Sequence, residues 1–294
     1  MGYVGRFAPS PSGPLHLGSL VAALGSYLDA RAHRGRWLLR IEDLDRARLQ
    51  PGCAAQIERT LEDLGLTWDG CVEYQSRRAG LYEEALQLLR ERARTYGCDC
   101  PRSALAETED RAYPGTCRTR AAVASPAALR FRVNEAETVS FTDRFQGACS
   151  FAMRTLGDVV VRRRDGVVAY QLAVVVDDAQ QGVTDVVRGA DLLPSTPWQI
   201  LLQRALDLPA PRYAHLPLVV EPSGAKLAKS RRSLPVDAGR ASCRLIEALQ
   251  LLRHAPPAEL AYEKPEAVLA WALKHWNPAN LERVQKTTAP VLPP

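Results

Sequence analysis

Three prolines, Pro9, Pro11 and Pro14, fall within the stretch Ala8-Pro9-Ser10-Pro11-Ser12-Gly13-Pro14. Each locks φ and withholds an amide donor, so this stretch forms neither a helix nor a central strand. Tyr3 to Phe7 before it has strand character, and Leu17, Leu20, Val21, Leu24 and Leu28 after it recur at helical spacing. The spacing predicts a helix that begins beside His16. Trp37 to Ile41 then reads as a buried strand running into the acidic segment Glu42-Asp43-Leu44-Asp45. Strand, rigid loop, helix and strand in that order form the unit of a nucleotide-binding α/β fold. The unpaired amides where the helix starts suit a phosphate. His16 adds a donor there, and Gly18 admits a close approach to the backbone. A proline-stiffened turn that happens to end in His16 accounts for the same residues.

The chain has 294 residues, and 38 Lys and Arg against 33 Asp and Glu leave a formal charge of +5. That excess permits a nucleic-acid partner without establishing one. A hydrophobic content of 46% excludes wholesale disorder. The most apolar run, Val167 to Val176, is too short to span a bilayer and holds Gln171. The first residues lack the layout of a secretory signal, and seven cysteines do not form a disulfide framework. The expectation is a soluble, cytoplasmic protein with no membrane partner.

Further along, Ile57, Leu61 and Leu64 mark one helix and Leu81, Ala85, Leu88 and Leu89 another. Residues 96–120 break this pattern with cysteines, prolines and a glycine, and read as a small insertion. Residues 129–163 are rich in strand formers, and Asp165-Gly166 fits a hairpin turn. Residues 170–178 are ambiguous, because Val174, Val175 and Val176 favour a strand by propensity. Thr196 to Ala205 reads as a helix and Leu218 to Val220 as a strand, and from about residue 241 onward the chain reads as helical. A basic loop, Lys226-Leu227-Ala228-Lys229-Ser230, sits about 200 residues after the first motif. A loop of this kind can neutralise charge that builds in a transition state. An exposed basic loop is its plain reading.

Taken together, these segments resemble the class I aminoacyl-tRNA synthetases of the glutamyl and glutaminyl type. Arg6 to Gly13 followed by His16-Leu17-Gly18-Ser19 is similar to that family's HIGH motif. Arg40-Ile41-Glu42-Asp43-Leu44-Asp45 is similar to its RIEDTD segment, and Lys226 to Ser230 to its KMSKS motif. The resemblance runs from residue 3 to about 232. It implies a Rossmann-like α/β parallel-sheet catalytic domain and makes residues 170–178 a helix. It also implies a glutamate pocket of Arg6, Phe7, Ala8, Pro9, Ser10, Glu42, Tyr170 and Arg188. Arg6 would form a bidentate contact to the side-chain carboxylate, and Glu42 would hold the ammonium. ATP, with magnesium bound through it, would lie against His16, Gly18, Lys226 and Lys229. His16 and Lys229 would act catalytically on the α-phosphate. Ser19 and Ala228 depart from the motifs at positions where the glutamyl branch varies.

Only 64 residues follow Ser230. The expected organisation is a catalytic domain over 1–240 and a helical part over 241–294, without an anticodon-binding domain. In this the chain resembles the short branch of the family. Members of that branch activate L-glutamate as glutamyl-adenylate and attach it to the queuosine base in the anticodon stem-loop of tRNA(Asp). An ordinary acceptor-end enzyme and a catalytically silent RNA binder are the alternatives. The pattern C-x-C-x12-Y-x3-C of Cys98, Cys100, Tyr113 and Cys117 resembles that branch's zinc site, and implies one structural ion. Asp99, Cys71 or water stay open as the fourth ligand. Cys53, Cys71, Cys149 and Cys243 read as core fillers. Arg162, Arg163 and Arg164, with Arg144 and Arg154, read equally as phosphate contacts or as a solvated hairpin tip. Trp271, His275 and Trp276 fit helix packing better than base stacking.

Overall fold

The computed structural model describes residues 2–101, 113–120, 122–220, 236 and 238–288. The chain opens with β1 (Val4–Phe7), α1 (Leu17–Ala32) and β2 (Arg36–Ile41). These are followed by α2 (Cys53–Asp63), β3 (Glu73–Tyr74) and α3 (Ala79–Glu91). β1 pairs parallel with β2, and β2 with β3. Alternation along β2 divides its side chains between two cores: Trp37, Leu39 and Ile41 enter one cluster and Leu38 the other. Helices cover both faces, as a parallel sheet requires.

An antiparallel region follows, made of β4 (Thr95–Cys98), β5 (Ala128–Phe131), β6 (Thr138–Asp143), β7 (Gly147–Ala152), the short α4 (Met153–Leu156) and β8 (Val159–Arg162). β5 is the central strand between β4 and β8, and β6 pairs with β7. The cysteine-bearing segment is therefore tied into a sheet whose other two strands lie beyond residue 120. The Asp165-Gly166 turn is present, with Gly166 at φ 87° and Arg162 bridged to Val168.

The parallel region resumes with α5 (Tyr170–Gln180), β9 (Asp185–Gly189), α6 (Thr196–Ala205) and β10 (Arg212–Leu216). β9 pairs parallel with β10 and lies beside β1, where the Thr184 amide donates to the Val4 carbonyl at 2.9 Å. Residues 170–178 are helical, against the propensity of the valine run. Leu172 to Asp178 are all buried, so packing on every side outweighs a preference worth a fraction of a kcal/mol per residue. β11 (Leu218–Val220), α7 (Ala241–Leu251) and α8 (Pro265–His275) follow. The C-terminal part is not purely helical, because β12 (Lys286–Thr288) pairs parallel with β11. α7 and α8 share one apolar cluster with α1 and α2. Contact between α1 and β10 is tight at Gly25, where a Cβ would meet Leu216 Cδ1 at 2.8 Å. Among the described residues no helix is long and apolar enough to cross a membrane.

Candidate active site

At the carboxyl ends of β1, β2, β9 and β10, where open α/β sheets bind ligands, lies a cleft of about 730 Å³. Arg6, Phe7, Ala8, Pro9 and Ser10 line it from the end of β1, and His16 and Gly18 from the start of α1. Glu42, Tyr170 and Arg188 close it from β2, α5 and β9. Lys226 and Lys229 lie outside the described residues.

The helix start is built by the sequence His16-Leu17-Gly18-Ser19. His16 is the N-cap: its Nδ1 accepts the Ser19 amide at 3.2 Å, while Ser19 Oγ accepts the His16 amide at 2.8 Å. Ser19, at the position where the HIGH motif ends in His, thus completes a reciprocal cap. Because Nδ1 accepts, a neutral His16 ring carries its proton on Nε2 and can donate it. A Cβ at Gly18 would stand 3.1 Å from the His16 ring, so glycine leaves that ring its place.

Behind the cleft is a buried charge network. Arg6 Nε donates to Asp178 Oδ1 at 3.1 Å and Nη2 to Oδ2 at 3.5 Å. Asp178 also takes Arg40 Nη1 at 2.8 Å, and Arg40 Nη2 reaches Glu42 Oε1 at 3.4 Å. Arg40 Nη1 also donates to Gln181 Oε1 at 2.6 Å. Asp177 pairs with Arg78 at 2.7 Å and accepts from Tyr82 and Gln75. Buried ions persist when each charge finds partners, and this set alternates in sign. Burial raises the Asp178 carboxyl, but Arg6 and Arg40 overcome it and hold the group below the usual carboxylate range. Burial pushes Glu42 up to about 6, with Arg40 and Arg6 pulling the other way. The Nε–Nη2 edge of Arg6 is occupied by Asp178. Nη1 makes no hydrogen bond to any described residue.

Arg188 is held in the same manner. Nε donates to His215 Nε2 at 3.0 Å, and Nη2 to Thr196 Oγ1 at 2.9 Å and to the Leu192 carbonyl at 3.4 Å. Among the described residues Nη1 meets only the Tyr170 hydroxyl, at 3.5 Å. Two arginines from different strands therefore bring Nη1 donors to one cleft that also holds Glu42. Such a cleft suits a small zwitterion with an additional carboxylate. Sequence reasoning passed over Arg40, Asp178, Thr196 and His215. Arg40 and Asp178 stand inside quoted segments, but a lone histidine in a strand carries no signal.

Cys98, Cys100 and Cys117 bring their thiols within 4.8 Å of one another. The Tyr113 hydroxyl lies 3.4 Å from Cys98 Sγ and 3.7 Å from Cys100 Sγ, and accepts the Cys117 amide at 2.8 Å. Three sulfurs and one oxygen at these separations fit the corners of a tetrahedral zinc site. Burial would raise the Cys117 thiol, yet hydrogen bonds, that of Tyr113 foremost, bring it down to about 7. Asp99 instead binds the Ala124 amide and Arg120, with one oxygen 3.5 Å from Cys117 Sγ, and Cys71 is exposed and outside the cluster. Cys71 is therefore no core filler; of the four cysteines so read, only Cys53 is fully buried.

Most of the arginines considered for phosphate contact have protein partners. Arg144 pairs with buried Asp29 at 2.6 Å, and Arg163 with Asp45 at 2.9 Å. Arg164 donates to the Asp99 carbonyl at 2.6 Å, fastening the hairpin to the cysteine loop. Trp271 stacks on His275 and Trp276 on His254, as helix packing predicts.

The family model described as "tRNA synthetases class I (E and Q), catalytic domain" matches residues 3–244. The chain is 52% identical over 284 residues to the glutamyl-Q tRNA(Asp) synthetase of Pseudomonas paraeruginosa, covering 96% of each chain. It is also 52% identical over 282 residues to the protein of the same name from Pseudomonas aeruginosa, again covering 96% of each. A crystal structure of a glutamate-tRNA synthetase from Elizabethkingia anophelis superposes with a TM-score of 0.82 at 25% identity, covering 99% of this chain and 68% of that one.

Proposed function

The chain belongs to the class I tRNA synthetases of the glutamyl and glutaminyl type, and on that premise we propose that it activates L-glutamate with ATP and transfers it to the queuosine base in the anticodon of tRNA(Asp), acting in the cytoplasm. The α-carboxylate of glutamate attacks the α-phosphorus of ATP, forming glutamyl-adenylate and releasing pyrophosphate. A hydroxyl of the modified base then attacks the activated carbonyl, and AMP leaves. The convergence of Arg6, Arg188, Glu42 and His16 on one cleft carries this reading. Arg6 and Arg188 each offer Nη1 to the side-chain carboxylate, Glu42 receives the ammonium, and Tyr170 with Phe7, Ala8, Pro9 and Ser10 closes the pocket. His16 donates Nε2–H to the α-phosphate beside Gly18. Lys226 and Lys229 supply further positive charge, and magnesium arrives with ATP. Orientation and charge stabilisation are the main sources of catalysis; no covalent nucleophile is needed. A zinc ion held by Cys98, Cys100, Cys117 and Tyr113 would cross-link the cysteine loop. The names of the relatives that match over 96% of their length support the choice of the queuosine branch.

The test is ATP–pyrophosphate exchange without RNA, followed by transfer to tRNA. Exchange is expected with glutamate and not with glutamine or aspartate, and labelled glutamate is expected on queuosine-containing tRNA(Asp) alone. Charging of tRNA(Glu) would replace this reading with an ordinary acceptor-end enzyme, and no exchange under any condition would end it.

A further inference from the structure

Arg188 is held by a chain of buried groups that reaches back to the turn between β6 and β7. His215, on β10, is fully buried, as is Asp143 at the end of β6. Asp143 Oδ2 is 2.5 Å from His215 Nδ1, and His215 Nε2 is 3.0 Å from Arg188 Nε. A carboxylate only accepts and a guanidinium only donates, so the proton of the ring sits on Nδ1 and the lone pair on Nε2. The opposite tautomer would set an Nε2–H against the Arg188 Nε–H and a bare Nδ1 against a carboxylate.

Resting on the proposed glutamate reading, we infer that His215, locked in its Nδ1–H tautomer by Asp143, is the positioning residue that aims Arg188 at the side-chain carboxylate of glutamate. With Nε on His215 and Nη2 on Thr196 and Leu192, Arg188 keeps Nη1 for the ligand. Its guanidinium carbon also lies 5.4 Å over the Tyr213 ring, which itself stacks on His215 at 6.2 Å. The charged groups facing His215 are Asp143, Arg188 and Arg6. Burial lowers the pKa of the ring, and Arg188 and Arg6 add to this, against the opposing pull of Asp143. The ring therefore stays neutral at neutral pH, as an acceptor for Arg188 requires.

Asp143→Asn tests the tautomer with little disturbance elsewhere. Asp143 Oδ1 alone accepts the amides of Phe145, Gln146 and His215, at 3.0, 2.9 and 3.0 Å, and the asparagine oxygen can keep all three. Its NH₂ would face Nδ1 and move the ring proton to Nε2. In glutamate-dependent exchange, Asp143→Asn and His215→Phe are expected to raise the glutamate KM by about tenfold or more, with kcat and the ATP KM within about threefold. His215→Gln, whose carbonyl oxygen can replace the Nε2 acceptor, is expected to recover most of the loss. A merely structural role predicts no such split and no rescue. The nitrogen spectrum of ¹⁵N-histidine-labelled wild-type protein, with the His215 signal identified by its loss in His215→Phe, is expected to show Nδ1 protonated and Nε2 bare. A proton on Nε2, or an unchanged glutamate KM in Asp143→Asn, overturns the inference. Absence of exchange in the wild type would instead fail the glutamate reading, and the spectrum would still decide the tautomer.

Discussion

Arg6 and Glu42 belong to one buried charge network, with Asp178 and Arg40 between them. Asp178 holds Arg6 by two contacts and Arg40 by a third, so Arg6→Ala leaves Asp178 with one cation instead of two. The expected result is a loss of glutamate activation of about 100-fold or more with an unchanged far-ultraviolet spectrum, and a stability loss of about 1–3 kcal/mol in thermal melts. Normal activation by this variant would remove Arg6 from the pocket. Glu42 titrates near 6 because of its burial. In the proposed function its carboxylate pairs with the ammonium, so the glutamate KM should fall as pH rises through about 6 and level off above it. Linkage runs the other way: the folded state holds a proton that the unfolded chain has released, so stability drops between about 4.5 and about 6. Glu42→Gln should therefore keep a high KM at every pH and melt no lower than wild type at pH 7.5; a lower melting temperature would contradict the direction of the shift. The motif segments made both residues visible, but not that Arg6 spends one edge on Asp178, 172 residues away.

The segments around the cysteine loop meet at Gly157, just after α4. Its φ of 68° and ψ of −174° belong to a region that is essentially restricted to glycine. A Cβ there would lie 2.9 Å from both the amide nitrogen and the carbonyl oxygen of Tyr113. These are backbone atoms and cannot rotate away. Gly157→Ala is expected to cost about 2–3 kcal/mol in thermal denaturation and to lower bound zinc by displacing Tyr113. An unchanged melt together with an unchanged zinc content would count against this role of the close approach. Periodicity located α1, α2 and α3 because their apolar stripes repeat within each segment. It failed for α5, where Leu172 to Val176 is buried on all sides and leaves no polar face to mark a period. It failed again for β12, a strand of Lys286, Thr287 and Thr288 that is defined by its pairing with β11.

Across the molecule, the cysteine cluster is fastened to the catalytic sheet by several separate contacts. Arg164 reaches the carbonyls of Asp99 and Cys100, Arg163 pairs with Asp45 just beyond β2, and Trp198 on α6 donates to the Gly157 carbonyl at 2.8 Å. The thiols themselves are not among the residues lining the cleft. Removing the proposed zinc ion with a chelator is therefore expected to lower the melting temperature while leaving exchange within about threefold at temperatures below the melt. Loss of exchange without unfolding would show that the ion acts on the chemistry.

The Arg6–Ser19 segment, with its prolines, its histidine cap and the apolar repeat of α1, dictates a rigid loop and a helix start through constraints that act within a few residues. The C-x-C-x12-Y-x3-C spacing likewise pointed to Tyr113 through its resemblance to a known zinc site. Contacts between distant segments settled the rest: that Asp178 and Arg40 stand behind Arg6, that His215 and Asp143 stand behind Arg188, and that a polar tail segment becomes a strand. Such features arise because a buried charge or an open strand edge takes whatever partner the fold brings to it, and no local pattern carries the identity of that partner.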